Sequence, residues 1–450
     1  MELNSELRPL FHITGGNGWI NDPNGLIYFN NQYHVFYQHY PHDTKWGPMH
    51  WGHVVSKDLL HWERMPIALY PKIETGEDGC FSGTAIEHNN VLYVVYTGFY
   101  ENGGGENVRQ LQCLASSVDG INFKKHGIIV GERELPKEYS VCDFRDPKIW
   151  KEENVFYMLV AARKKGGRGH ILLFKSNDIF NWSFVGDILD KESLGIMIEC
   201  PDYSSKLGLL MHSEQFQPNE GKKHLNIHSN RYKVGSLDLG KGKFTETNGG
   251  IIDYGFDFYA PQIFSDGDVM IGWLNMWDRN NPSQKYGFAG TLTIPRQLTI
   301  VDGVLLQKPI WNYDNQTTID VDGNSNFKFK HGSLKLLASN LKSLNIKLRK
   351  KVNQYFNISL SEEELIFDRS NSGEVITGAE TDFDSLNGIR RMPITNLGNV
   401  EIEIIMDEFS IEVFANGLAA SFLIYPDIDA DDVEINIDCE QSVLSLSKFE

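Results

Sequence analysis

The sequence predicts an all-β chain, with a five-bladed β-propeller followed by a C-terminal β-sandwich. The first observation is that strand signals dominate, as short aromatic and β-branched runs bounded by Gly, Asn and Asp turns. These runs are Tyr33–Tyr37, Leu92–Tyr96, Phe156–Val160 and Val269–Trp273. The second observation is an internal repeat, and the third is a change of pattern after Pro309.

The repeat is a Ser-x-Asp segment followed a few residues later by an aromatic side chain. It begins at Ser56, Ser117 and Ser176, and more weakly at Ser236, at intervals of 61, 59 and 60 residues. Turn residues are common, so coincidence is the simplest alternative, but it fits three near-equal intervals poorly. Units of this length give five in roughly the first 300 residues, and a closed ring of such units removes exposed sheet edges.

The C-terminal third of the chain has a different pattern. Clean alternation of apolar and polar residues marks Val400–Met406 and Phe409–Phe414, with an Asn416-Gly417 turn following. Half-buried alternating strands are typical of a β-sandwich. We therefore predict a propeller domain at residues 1–310 and a sandwich domain at 311–450, joined near Gln307–Asn312.

Composition excludes several classes of protein. The 42 basic and 60 acidic residues leave a net charge of −18, which disfavours nucleic acid as a partner. No run approaches the roughly 20 apolar residues that cross a membrane, and Met1–Leu10 carries no leader-like apolar stretch. Five scattered cysteines without a C-x-x-C pair favour a reducing compartment, and we expect the cytoplasm. We predict no cofactor and no bound metal.

Three acidic residues occupy comparable places in the predicted blades. Asp22, Asp146 and Glu199 each lie at the start of an innermost strand, and equivalent positions of a ring converge on its axis. A single Asp before Pro is usually a turn residue that bonds its own backbone. Three carboxylates buried together are costly, however, and acid–base chemistry gives a reason for that cost.

The residues around these acids fit a sugar site. Aromatic rings stack on the C–H faces of a sugar, while polar side chains bond its hydroxyls. The candidate substrate-binding residues are Asn21, Asn24, Gln38, Trp46, Phe81, Ser82, Arg145 and Trp273. Two carboxyl groups, one ionised and one protonated, suffice for glycoside hydrolysis.

An ordered set of motifs resembles glycoside hydrolase family 32 over nearly the whole chain. The motifs are Trp19-Ile20-Asn21-Asp22-Pro23-Asn24-Gly25, Phe144-Arg145-Asp146-Pro147 and Glu199-Cys200-Pro201. The resemblance implies a propeller joined to a sandwich, and hydrolysis of β-fructofuranosyl bonds with retention of configuration.

By the same resemblance, Asp22 is the nucleophile and Glu199 is the general acid and then the general base. Asp146 would hold fructose hydroxyls, with Arg145 expected to keep it charged. In a retaining enzyme the carboxyls of Asp22 and Glu199 should lie about 5–5.5 Å apart.

The sequence leaves alternatives open for the substrate, the activity and the basic run. The substrate is a small sugar, either sucrose, sucrose 6-phosphate or short β-fructosides, and an exo-hydrolase of fructo-oligosaccharides is the runner-up. A non-catalytic sugar-binding propeller and an inverting pentosidase are the rivals. The basic run Arg163–Arg168 is either a solvated turn or a means to attract an anionic substrate. The sandwich is a candidate surface for pairing subunits.

Overall fold

The computed structural model describes residues 7–189, 193–265, 267–321 and 323–449. The first six residues of the Met1–Leu10 segment, on which the leader prediction rests, lie outside them. Within the described residues no helix is long and apolar enough to cross a membrane. Nearly all regular structure is β-strand, as the sequence predicts.

Five antiparallel sheets come first along the chain. Each of the first four is built from four consecutive strands, running outward from the innermost one. The strands are β1 Gly18–Phe29, β2 Gln32–Tyr40, β3 His50–Ser56 and β4 Glu63–Arg64; β5 Gly79–His88, β6 Val91–Tyr100, β7 Arg109–Ser117 and β8 Lys124–Val130; β9 Tyr139–Glu152, β10 Val155–Lys164, β11 Gly169–Ser176 and β12 Ser183–Asp187; β13 Met197–Ser204, β14 Leu209–Gln215, β15 His228–Asp238 and β16 Lys243–Ile251.

The fifth sheet closes the ring. It contains β17 Tyr259–Ile263, β18 Val269–Trp273, β20 Arg296–Val301 and β21 Val304–Pro309, while the short β19 Phe288–Ala289 pairs in parallel with β1 of the first sheet. Each innermost strand contacts the next around the ring, and β17 contacts β1. The prediction of a five-bladed propeller is confirmed.

The repeated Ser-x-Asp segment is the turn between the third and fourth strands of a blade. Asp58 accepts the backbone N–H groups of Leu60 and His61, and the Asp residues of the other copies make the same pair of bonds. These backbone bonds help to hold the pKa of Asp58 at about 2. An aromatic residue follows each turn, at Trp62, Phe123, Trp182 and Phe244.

Two six-stranded sheets form the C-terminal sandwich. One has the order β22-β33-β24-β29-β30-β31 and the other β23-β32-β25-β26-β27-β28. The strands are β22 Thr317–Asp320, β23 Gly323–Lys328, β24 Gly332–Ser339, β25 Ser343–Lys351, β26 Gln354–Ser361, β27 Glu364–Asp368, β28 Ile389–Pro393, β29 Asn399–Met406, β30 Ser410–Ala415, β31 Leu418–Leu423, β32 Asp432–Asp438 and β33 Gln441–Lys448. One apolar core lies between the sheets.

Short helices complete the described structure. Helix α1 spans Phe383–Leu386, and 3₁₀ turns span Ile73–Thr75, Gly105–Asn107 and Pro282–Tyr286. The Asp382 side chain caps α1 by accepting from the Ser385 N–H, which satisfies one unpaired helix donor.

The propeller and sandwich meet across a buried ionic cluster. His12 contacts Asp407 at 2.8 Å and Glu412 at 2.9 Å, and Arg296 bonds Glu412 and Asp253. All five side chains are fully buried. Buried charges are tolerated only when they are paired, so this cluster fixes how the two sets of sheets pack.

Candidate active site

The innermost strands all carry an irregularity at the same height in the ring. Each of the five shows a shift of register against its neighbour, which is the mark of a β-bulge. At the bulges of the last three blades, Asp146, Cys200 and Ala260 have left-handed φ angles of 63°, 47° and 48°, and a proline follows each of them. This strained conformation is costly and typical of functional sites.

The bulges explain how one strand gives two neighbouring residues to the pocket. In a regular strand, consecutive side chains point to opposite faces. Here Asn21 and Asp22, and likewise Arg145 and Asp146, line one cavity of about 410 Å³. Aligned on the prolines, Glu199 matches Asn21 and Arg145 rather than Asp22 and Asp146. The three acids therefore share the pocket but do not share a single repeat position.

The Asp22 carboxylate is held on both oxygens. The Ser82 hydroxyl donates to Oδ2 at 2.6 Å, and the Asn21 amide donates to Oδ1 at 3.0 Å. Trp19 Nε1 in turn donates to Asn21 Oδ1 at 2.8 Å, which orients that amide. Burial raises the pKa of Asp22, and the bonds from Ser82 and Asn21 oppose this effect.

Glu199 receives donors from the blades on either side. Arg145 donates to Oε1 from Nε at 3.2 Å and from Nη2 at 3.0 Å, while the Tyr259 hydroxyl donates to Oε2 at 2.7 Å. Tyr259 therefore contacts the predicted acid directly. These bonds fix both oxygens of the Glu199 side chain.

Asp146 differs from its sequence-based expectation. Arg145 was expected to keep Asp146 charged, but its guanidinium lies 4.0 Å from Asp146 and donates instead to Glu199. Burial, opposed by Arg145, raises the pKa of Asp146 to about 7, and the nearby carboxylates of Glu199 and Asp22 contribute. The Cys200 N–H donates to Asp146 Oδ2 at 2.9 Å.

Most of the predicted sugar contacts line the cavity. Asn21, Gln38, Trp46, Phe81, Ser82 and Arg145 do so, together with the three acids. Trp46 is 48% exposed and stands at the rim, where its ring contacts Phe81 edge-on.

Two predicted contacts lie outside the pocket. Asn24 is fully buried beside Gln38, and its amide oxygen accepts from Gln38 Nε2 at 2.9 Å in the orientation that satisfies both groups. Trp273 is also fully buried, because β18 turns its ring into the core against Trp19 and Trp277. These two residues support the wall and do not form it.

Seven further residues line the pocket that were not predicted as sugar contacts. The additional lining residues are Gln110, Asp143, Gln215, Phe216, His228, Trp277 and Asp278. Trp277 stacks on Trp19 with ring centroids 5.7 Å apart. It lies four residues after Trp273 in the loop that follows β18, outside every repeated motif, so only the aromatic richness of this segment pointed to it.

Asp257, two residues before Tyr259, is fully buried outside the pocket lining, where it pairs with Arg279 and with Arg369 of the sandwich at 2.8 Å. Asp202 pairs with Lys148 at 2.8 Å, below the pocket. Both carboxylates therefore have structural partners.

A propeller whose axial pocket holds three carboxylates among aromatic and amide side chains has the architecture of a glycoside hydrolase. Comparison with known proteins agrees with this class. Residues 12–309 match the family described as glycosyl hydrolases family 32 N-terminal domain, and residues 300–449 match the C-terminal one. The chain belongs to glycosyl hydrolase family 32, and it is an enzyme that hydrolyses glycosidic bonds.

Relatives of known name support the same assignment. A sucrose-6-phosphate hydrolase of Zymomonas mobilis is 37% identical, over 95% of this chain and 89% of the relative. The solved structure of a sucrose-6-phosphate hydrolase from Lactobacillus gasseri has a TM-score of 0.89 and 26% identity, covering 99% of this chain and 94% of the other. A β-fructofuranosidase of Bombyx mori, solved in complex with sucrose, has a TM-score of 0.85 and 30% identity, with coverage of 99% and 94%.

Proposed function

We propose that this enzyme is a retaining β-fructofuranosidase that releases fructose from sucrose or sucrose 6-phosphate, with its catalytic domain at residues 1–310 and its sandwich domain at 311–450. The observation that carries the proposal is that Asp22, Asp146 and Glu199 line one sugar-sized cavity. The names of the relatives supply the substrate class.

Asp22 is the nucleophile of the proposed mechanism. Its carboxylate attacks the anomeric carbon of the fructosyl unit, and the bond to the leaving oxygen breaks as the covalent fructosyl-enzyme forms. The bonds from Ser82 and Asn21 keep the carboxylate in position and favour its ionised form. Nucleophilic attack needs that form.

Glu199 moves the proton in both steps. It protonates the leaving oxygen in the first step, and in the second it takes a proton from the water that attacks the anomeric carbon and releases fructose. Arg145 and Tyr259 hold its two oxygens from opposite sides. These hydrogen bonds keep the Glu199 carboxyl group in one place while its protonation state changes.

Asp146 binds fructose hydroxyls in the proposal. With a pKa near 7, its carboxyl group either accepts or donates a hydrogen bond around neutral pH. Its left-handed backbone aims the side chain into the pocket beside Cys200, whose Sγ also lies 3.4 Å from Asp22. The bulge therefore places the sugar-binding acid next to the nucleophile.

The test is a product assay with sucrose, sucrose 6-phosphate and kestose side by side. We expect fructose from the first two and loss of hydrolysis in Asp22→Asn and Glu199→Gln, with folding checked by circular dichroism. A large preference for kestose would favour a fructan exo-hydrolase, and unchanged turnover by Asp22→Asn would refute its role. Proton NMR of the first-formed sugar should show retention, whereas inversion would contradict the double displacement.

Location and assembly complete the proposal. All five cysteines are free, which suits the cytoplasm. The sandwich exposes Phe383 and Leu386, at 78% and 71%, and we propose it as the surface through which subunits pair. Size-exclusion chromatography with light scattering tests the pairing, and a monomer at micromolar concentration would contradict it.

A further inference from the structure

The pocket is strongly acidic for a site whose relatives are named for a phosphorylated sugar. Five carboxylates line it, and Arg145 is the cation among its described lining residues. The acids are Asp22, Asp143, Asp146, Glu199 and Asp278. The whole chain, pocket included, carries a net charge of −18. Field lines focus in clefts lined by one sign of charge, so this potential acts on any ligand that enters.

The guanidinium of Arg145 already has carboxylate partners. Its guanidinium donates to Glu199 at 3.0 Å and to Asp143 at 3.3 Å, deep in the pocket. Arg163, which does not line the pocket, pairs with Asp143 at 2.7 Å. His228 also lines the pocket, but burial lowers its pKa and leaves the imidazole neutral at physiological pH.

The rest of the basic run that contains Arg163 is turned to local partners. Lys164 lies over the Tyr139 ring at 5.8 Å, and Lys165 donates to the backbone carbonyl of Lys137 at 2.8 Å. Arg168 bonds the carbonyl of Leu194. Of the two sequence-based interpretations of this run, the contacts favour a structural turn.

Asp278 lines the pocket beside Trp277. It has a left-handed φ of 58°, and its charge acts to raise the pKa of His228, which burial lowers overall. Among the residues the structure describes, no cation lies within 4.0 Å of its carboxylate. Because the fructosyl unit must reach Asp22 and Glu199, the glucosyl unit and any 6-phosphate on it are left to contact the other lining residues, Asp278 among them.

We propose that Asp278 selects uncharged sucrose over sucrose 6-phosphate. This inference rests on the proposed function and names its preferred substrate. A phosphate monoester carries about −1.5 to −2 charges at neutral pH, and a carboxylate that lines the pocket repels it. The rim offers aromatic rings instead, at Trp46, Phe216 and Trp277, which suit the neutral faces of a sugar.

The test compares kcat/KM for sucrose and for sucrose 6-phosphate at low and at physiological ionic strength. We expect sucrose to be preferred by about tenfold or more at low salt, and the preference to shrink as salt screens the repulsion. Asp278→Asn should raise the ratio of the sucrose 6-phosphate value to the sucrose value by about threefold to tenfold, and Asp278→Lys should raise it further.

The control is Asp314→Asn, which removes the same charge from an exposed position outside the pocket and should leave the ratio unchanged. Equal or better turnover of sucrose 6-phosphate at low salt would overturn the inference while the proposed function stands. An unchanged ratio in both Asp278 variants would also overturn it. Failure to hydrolyse either substrate would instead refute the proposed function.

Discussion

Tyr259 on the fifth blade donates its hydroxyl hydrogen to Glu199 on the fourth at 2.7 Å. Both residues directly precede the bulge residue of their innermost strands, as Arg145 does on the third blade. The predicted proton donor is thus held from both neighbouring blades by residues at its own repeat position. Equivalent positions on three adjacent blades therefore supply one acid and its two hydrogen-bond donors.

Tyr259→Phe should lower kcat/KM about tenfold to a hundredfold, because Glu199 loses the donor on Oε2 and with it part of its orientation. Steady-state kinetics with sucrose measure the loss. A kcat/KM equal to that of wild type would contradict a positioning role, and Tyr232→Phe in the same domain serves as the control.

Asp146→Asn should make the protein more stable above neutral pH although less active. The folded pKa of Asp146 is about 7 against 3.8 for the free side chain, so the folded state binds more protons than the unfolded state between these values. Stability from this group is therefore complete below pH 4 and is lost as pH rises through 7.

Urea titrations at pH 4, 6 and 8 measure the difference between Asp146→Asn and wild type. It should be near zero at pH 4 and grow to a few kcal/mol in favour of the variant at pH 8. Asp314→Asn, which removes an exposed carboxylate, should track the wild type. A variant that is less stable at pH 8 would contradict the raised pKa.

His12, at the junction with the sandwich, also has a raised pKa, but there the raised pKa favours the charged form of the side chain. Bonds to Asp407 and Glu412 outweigh burial and raise the pKa of His12 to about 9 from 6.5. Its contribution to stability is complete below pH 6.5 and is lost as pH rises through 9.

His12→Gln should therefore unfold more easily than wild type at pH 6, by on the order of 3 kcal/mol, and the gap should close toward pH 10. The exposed His42→Gln is the matched control and should leave the free energy of unfolding unchanged. A pH-independent gap would mean that lost packing, and not charge, explains the defect.

The fold was predictable because the repeat is local. The side chains of a Ser-x-Asp turn bond backbone groups within three residues, so the turn can be recognised from neighbouring residues of the sequence. The His12 cluster was not predictable in the same way, since its partners lie about 400 residues away and only folding brings them together. Nothing near Glu412 in the sequence indicated His12 as its partner.

The three acids of the site could be predicted from the sequence, but the other lining residues could be predicted only in part. The X-Pro motifs located Asp22, Asp146 and Glu199, but the bulges that turn neighbouring residues into one pocket are a property of the paired strands. The same reason explains Trp273: strand alternation decides that its ring enters the core, and the loop beyond it supplies Trp277 to the rim. The redirection of Arg145 from Asp146 to Glu199 likewise depends on geometry between blades.

Ser82→Ala should weaken Asp22, the proposed nucleophile, without unfolding the protein. The Ser82 hydroxyl lies 2.6 Å from Asp22 Oδ2 and lowers the pKa that burial raises. Without it the pKa of Asp22 rises further, so the acidic limb of the kcat/KM profile should move to higher pH, with about a tenfold loss of activity at pH 6. Ser229→Ala is a matched control, because this buried hydroxyl has no hydrogen-bond partner among the described residues. If Ser82→Ala keeps the acidic limb where wild type has it, the Ser82 bond does not tune Asp22, and the hydroxyl serves only to position the sugar.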